Sequence, residues 1–179
     1  MRPAAKLASE QGLYAAALGA LARRGHSVFE MRCYLERRAS DTAAAKRVLA
    51  RLRQDKLLDD ARYALEFARY RARARRQGRY RIARELRARG VPDRHIEAAV
   101  EQVFSETDEA LLVRKVIERR LRTLRGLFDS RGAASLYRTL LRSGFDSNLI
   151  RRELHSARSD HAREGAESPE DLPRDSDCV

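Results

Sequence analysis

Tryptophan is absent from this chain of 179 residues, and aromatic residues make up only 6% of it. Prolines number 4 and glycines 9, so little breaks a helix, while Ala, Leu, Arg and Glu lose little freedom in one. The two cysteines, Cys33 and Cys178, do not make a disulfide framework. Cys33 lies within a helical pattern and reads as a small core residue in a reducing compartment. No apolar run approaches the roughly 20 residues that cross a bilayer. The N-terminal apolar stretch is interrupted by Lys6 and Glu10 and its apolar residues recur at helical spacing, which disfavours a signal peptide. The expectation is a cytoplasmic protein, with no membrane partner.

Catalytic signatures are missing as well. The four histidines, His26, His95, His155 and His161, have no cysteine or carboxylate at metal-ligand spacing. There is no glycine-rich phosphate loop and no nucleophile elbow. Asp59 and Asp60 could suggest paired carboxylates, but they stand at a helix start, where carboxylates cap free N–H groups and oppose the macrodipole. The expectation is a protein that is not an enzyme and needs no metal or cofactor.

What is present is charge and periodicity. Charged residues are 36% of the chain and the formal net charge is +12. A chain this basic is drawn to polyanions: nucleic acid, an anionic membrane surface, or an acidic protein face. From residue 158 onward acidic residues outnumber basic ones, seven to three, which leaves the body at +16 against −4 for the tail. With two of the four prolines and little to bury, residues 158–179 read as a disordered acidic tail. Residues 1–9 read as a flexible arm.

Between them, apolar periodicity predicts nine helices. Ser27-Val28-Phe29-Glu30 is a capping-box pattern opening the second. The fourth follows Asp59, with Tyr63, Phe67, Tyr70 and Ala74 as its expected buried stripe. The fifth presents Ile82 and Leu86 and stops at Gly90, since glycine tolerates the left-handed backbone that ends many helices.

These helices repeat. At an offset of 54 residues and without a gap, Gly78 falls on Gly132, Ile82 on Leu136, Leu86 on Leu140, Gly90 on Gly144, Ile96 on Ile150 and Val100 on Leu154. At an offset of 51, Met31 and Leu35 fall on Ile82 and Leu86; this first copy has Ala39 where the others have glycine. The expected fold is all-α: three tandem three-helix repeats, over 10–58, 59–104 and 105–157, stacked into an elongated, curved molecule. One compact bundle is the alternative.

The positive charge concentrates in the middle repeat, with eleven arginines and two acidic residues between Arg69 and Arg94. On the fourth helix Arg62, Arg69, Arg73 and Arg76 share a stripe, and on the fifth Arg81, Arg84 and Arg87 lie opposite the apolar face. A solvated surface normally mixes signs. An arginine-only face repels itself and is better explained by an anionic partner, whose oxyanions the guanidinium fork suits.

The segment from Leu57 to Val91 carries an acidic pair (Asp59, Asp60), then Arg62-Tyr63-Ala64, a basic helix, Gly78, and Arg81-Ile82 followed by Glu85-Leu86 and Gly90. In this it resembles the RecX family, and the likeness extends over roughly residues 12–157. The resemblance implies tandem three-helix repeats and a monomeric regulator that binds the RecA–DNA filament. It would typically suppress ATPase, strand exchange and co-protease activity in DNA repair and the SOS response. The seven arginines named above are then the candidate contacts to the RecA nucleoprotein filament. Direct binding to DNA, sequence-independent or through a helix-turn-helix unit, is the competing reading.

Overall fold

The structure, a computed structural model, describes Leu7, residues 9–123 and residues 130–166. Among the described residues there are nine helices and no strand beyond one isolated bridge. They are α1 (Glu10–Arg23), α2 (Val28–Arg38), α3 (Thr42–Gln54), α4 (Asp60–Arg73), α5 (Arg79–Arg87), α6 (Asp93–Glu106), α7 (Glu109–Thr123), α8 (Ser130–Arg142) and α9 (Ser147–Ala166). The chain divides into two compact units, Met1–Asp108 and Glu109–Val179. The first holds α1–α6, two helical triplets; the second holds α7–α9.

The repeat is built as its sequence pattern implies. Met31, Leu35, Ile82, Leu86, Ile96, Leu136, Leu140 and Ile150 are all buried. Gly90 and Gly144, matched by the offset, both adopt positive φ, +69° and +86°. Both end their helix in the same way: the next residue's amide, of Val91 or Phe145, reaches back to the carbonyl of Leu86 or Leu140 (3.2 and 3.3 Å). That turn places Val91 and Phe145 in the core beneath it.

The first repeat replaces this device. At Ala39 the backbone is extended, φ −72° and ψ 141°. Leu7 pairs with it: the Leu7 amide donates to the Arg38 carbonyl (2.6 Å) and the Ser40 amide donates to the Leu7 carbonyl (3.1 Å). Leu7 also packs on the core of α1–α3. An extended exit needs no left-handed residue, which is why alanine suffices where the other copies have glycine. Leu7 is therefore tied down within the stretch expected to be a flexible arm; residues 1–6 and 8 lie outside the described residues.

Three expectations need correction. The buried stripe of α4 is Ala64, Ala68 and Ala72, all fully buried, while Tyr63 and Phe67 are half-buried and Tyr70 is 54% exposed. Helix α4 makes its most extensive contact with α6. Alanines at a spacing of four let two helix backbones approach closely, and the aromatic residues one position away turn to the flank. In α1, sequence spacing predicts one face of Leu13, Ala17, Leu18 and Leu21, but Leu18 is exposed and Leu13, Ala17 and Ala20 form the buried face. At the other end, α9 continues through Ala166, past the composition change at residue 158. Residues such as Ala162, Arg163 and Glu164 have good helix propensity, so the change of composition did not mark the helix end. Residues 167–179 lie outside the described residues.

Two substitutions test this packing. Ala68→Leu should cost about 1–3 kcal/mol by overpacking the α4–α6 contact, read as a lower urea midpoint with unchanged slope. Gly90→Ala should also destabilise, because the backbone there is left-handed and an added Cβ would collide with the Phe29 ring. Gly19→Ala, whose Cβ meets only the end of Arg23 at 3.8 Å, should instead stabilise slightly. Equal effects at the two glycines would contradict the assigned geometry.

Candidate functional site

The joint between the first two triplets is made at the start of α2. Ser27, completely buried, caps α2: its Oγ accepts from the Glu30 amide (3.0 Å) and Glu30 accepts from the Ser27 amide (3.2 Å). The same hydroxyl donates across the joint to the Arg89 carbonyl (2.6 Å). The Val28 amide donates to Asp60 Oδ1 (2.9 Å), and the Tyr63 hydroxyl donates to Glu30 (3.4 Å). Phe29 lies directly over Gly90.

The acidic pair therefore splits its roles. Asp59 caps α4, accepting from the Ala61 and Arg62 amides (2.8 and 3.1 Å). The Arg62 amide bond, with the Ala61 bond behind it, holds the Asp59 carboxyl below its usual pKa. Asp60 reaches back to the preceding repeat. Capping alone was expected of the pair, and the second carboxylate is an inter-repeat fastener that sequence spacing did not reveal.

Of the seven candidate arginines, four meet carboxylates. Arg69 bonds Glu106 (3.1 Å), and Arg73 lies 3.9 Å from the same residue. Arg81 bonds Glu85 (3.0 Å), and Arg87 bonds Asp93 (2.6 Å). Among the described residues no carboxylate lies at ion-pair distance from Arg62, Arg76 or Arg84. Arg62 is exposed and donates only weakly to the Lys56 carbonyl (3.5 Å), and Arg84 is exposed on α5. Arg76 is half-buried just past α4, in a left-handed conformation with φ +49°. An arginine face of one sign is thus corrected to a face of mixed sign. The acid that changes it most, Glu106, lies 37 residues from Arg69 in sequence and arrives only because α6 packs along α4.

Carboxylates in these networks are held ionised. For Glu85, burial works to raise its pKa, but a hydrogen bond from Arg81 and the charges of Arg71, Arg81 and Arg89 outweigh it and leave it lowered. Hydrogen bonds from Gln102 and then Arg69 lower that of Glu106. Glu30 is lowered too: burial opposes this, and the Arg24 and Ser27 hydrogen bonds prevail.

The aromatic flank of α4 makes a feature that was not anticipated. Tyr63, Phe67 and Tyr70 line a groove of 580 Å³ together with Arg24, Arg71 and Arg89. The Arg71 and Arg89 guanidinium groups lie 4.8 and 4.6 Å from the Phe67 ring centroid. The interleaving of aromatics with Arg71 and Arg75 was visible in the sequence, but helical spacing assigned those rings to the buried stripe.

Models of the RecX family match this chain twice: the first three-helix domain over residues 14–52 and the second over residues 59–100. The chain is 38% identical over 157 residues to the regulatory protein RecX of Halorhodospira halophila, covering 87% of this chain and 94% of that protein. It is 36% identical over 138 residues to that of Prosthecochloris aestuarii, covering 77% and 88%. This chain belongs to the RecX family. The fold agrees: the crystal structure of RecX from Lactobacillus salivarius superimposes with a TM-score of 0.70 at 19% identity, covering 82% of this chain and 95% of that one. RecX relatives carry the name of regulatory proteins, and no described helix here is long and apolar enough to cross a membrane.

The lowered carboxylates set a pH dependence. A folded-state pKa below the unfolded value contributes stability that is present above the unfolded value, 4.5 for Glu85, and lost as pH falls through the folded one. The melting temperature should therefore drop as the solution is acidified below that value. In Glu85→Gln the drop should be shallower and the starting stability lower. A variant whose acid limb parallels the wild type would remove Glu85 from this account.

Proposed function

We propose that this RecX-family chain binds the RecA–DNA filament and lowers its ATPase, strand-exchange and co-protease activities. Membership of a family of regulatory proteins is the observation that carries this reading. A basic body of +16 supports it, since the filament contains nucleic acid and is anionic. Arg62, Arg76 and Arg84 are its foremost contacts, because no intramolecular carboxylate must be displaced to free them. Arg69, Arg73, Arg81 and Arg87 contribute at the cost of exchanging an ion pair, which for exposed pairs is small. In this reading the protein works in the cytoplasm as a monomer, in DNA repair and the SOS response, and catalyses nothing itself.

The second reading, binding to naked DNA, draws on the same charge. It requires binding in the absence of recombinase, with an affinity that falls steeply with salt if phosphates alone are read.

Titration into the cognate RecA on single-stranded DNA should lower ATP hydrolysis at substoichiometric to stoichiometric ratios. Reversal of Arg62, Arg76 and Arg84 to Glu should keep the circular dichroism of the wild type and weaken that inhibition by about tenfold or more in the concentration required. No inhibition by the wild type over this range defeats the proposal; full inhibition by the triple variant removes these residues from the contact surface. Tight binding to duplex DNA alone, with no effect on RecA turnover, favours the second reading.

A further inference from the structure

On the Phe29 side of the joint lies a groove of 870 Å³, within the roughly 300–1,000 Å³ typical of ligand sites. It is confined to the first compact unit. Its apolar lining comes from Val28, Leu49, Ala50, Leu58 and Pro92, and Phe29 stands in it 41% exposed. Four cations line it as well: Arg32, Arg53, Lys56 and Arg94, all exposed. Among the described residues no carboxylate lies at ion-pair distance from Arg53, Lys56 or Arg94. None of these four belongs to the arginine stripes of α4 and α5.

We propose that this groove docks an acidic peptide segment that carries an apolar anchor side chain. The cations call for negative charge, and the aliphatic lining calls for a buried hydrocarbon group, which a phosphate backbone does not offer. Asp59 and Asp60 line the same groove. Their charge opposes a continuous phosphate chain, whereas a peptide can place its carboxylates at the cations and leave the aspartates facing its neutral backbone. The Phe29 ring is not a free stacking platform for bases, because it packs on Gly90 and already carries the Arg32 guanidinium at 5.1 Å; the other ring in the lining is the half-buried His95. Aromatic and arginine side chains are the residues that most often dominate protein-binding hot spots.

The test uses the full chain without recombinase, so its outcome is independent of the filament reading. The probe is a short fluorescein-labelled peptide of Glu and Ser around one central Phe, followed by fluorescence anisotropy. The wild type should bind it, and Arg53→Glu with Lys56→Glu should weaken binding at least about tenfold. Both positions are exposed and without ion pairs, so circular dichroism should not change. Replacing the peptide's Phe by Ser should weaken binding comparably, and reversal of Arg62, Arg76 and Arg84 should leave it unaltered. The proposal is overturned by equal binding of the Arg53/Lys56 variant, by equal binding of the Ser peptide, or by a single-stranded oligonucleotide of matched charge that binds as tightly with the same sensitivity to Arg53 and Lys56.

Discussion

The buried hydroxyl of Ser27 is the interaction on which the first compact unit depends. It begins α2 by capping it and at the same moment bonds the Arg89 carbonyl, just past α5 in the next repeat. A buried backbone carbonyl and a buried amide each need a partner, and this side chain serves both in a place water does not reach. Asp60 supplies the reciprocal bond from the second repeat to the first, and the left-handed turn at Gly90 leaves the space that Phe29 fills. Two helical triplets, each with a small core, are thereby joined by hydrogen bonds as well as apolar contact. The two grooves lie on either side of this joint, one lined by Phe29, the other by Glu30 and Tyr63.

Electrostatics follow from that packing. The middle repeat holds many arginines and few acids, and counted along the chain it is a field of one sign. Folding brings Glu106 to Arg69 and Arg73, and Glu85 to Arg71 and Arg81. This neutralises part of a charge whose self-repulsion would otherwise oppose the compact state. The second unit solves a similar problem differently: Glu153, 5% exposed, is bonded by Arg114 (2.6 Å) across α7 and α9. At offset 54 this glutamate stands where the second repeat has Ala99, itself buried. The repeats therefore share a backbone plan while differing in what joins their first and third helices.

For the proposed binding to an anionic filament, the cations left unpaired matter more than the total. Arg62, Arg76 and Arg84 can engage an anionic surface without breaking an internal ion pair. Arg53, Lys56 and Arg94 border a separate groove with an apolar lining. Paired arginines still contribute to the long-range field that draws a partner in, but the pairing lowers what each adds once contact is made.

Much of this was legible in the order of residues. Helix period, the capping box at Ser27, the glycine stops at Gly90 and Gly144 and the internal repeat all concern neighbours within a turn or two, or identical patterns at a constant offset. Local geometry governs such features, so the sequence alone determined an all-α chain of three-helix repeats and its RecX likeness. Tertiary structure decided the rest. Only the close approach of α4 to α6 selected alanines over aromatics for the core, and only that approach carried Glu106 to Arg69. Only the stacking of the first repeat on the second turned Asp60 into a fastener and opened the grooves beside it. These contacts join residues some thirty or more positions apart, and which of many similar charges and rings meet at that range depends on how helices pack rather than on their spacing along the chain.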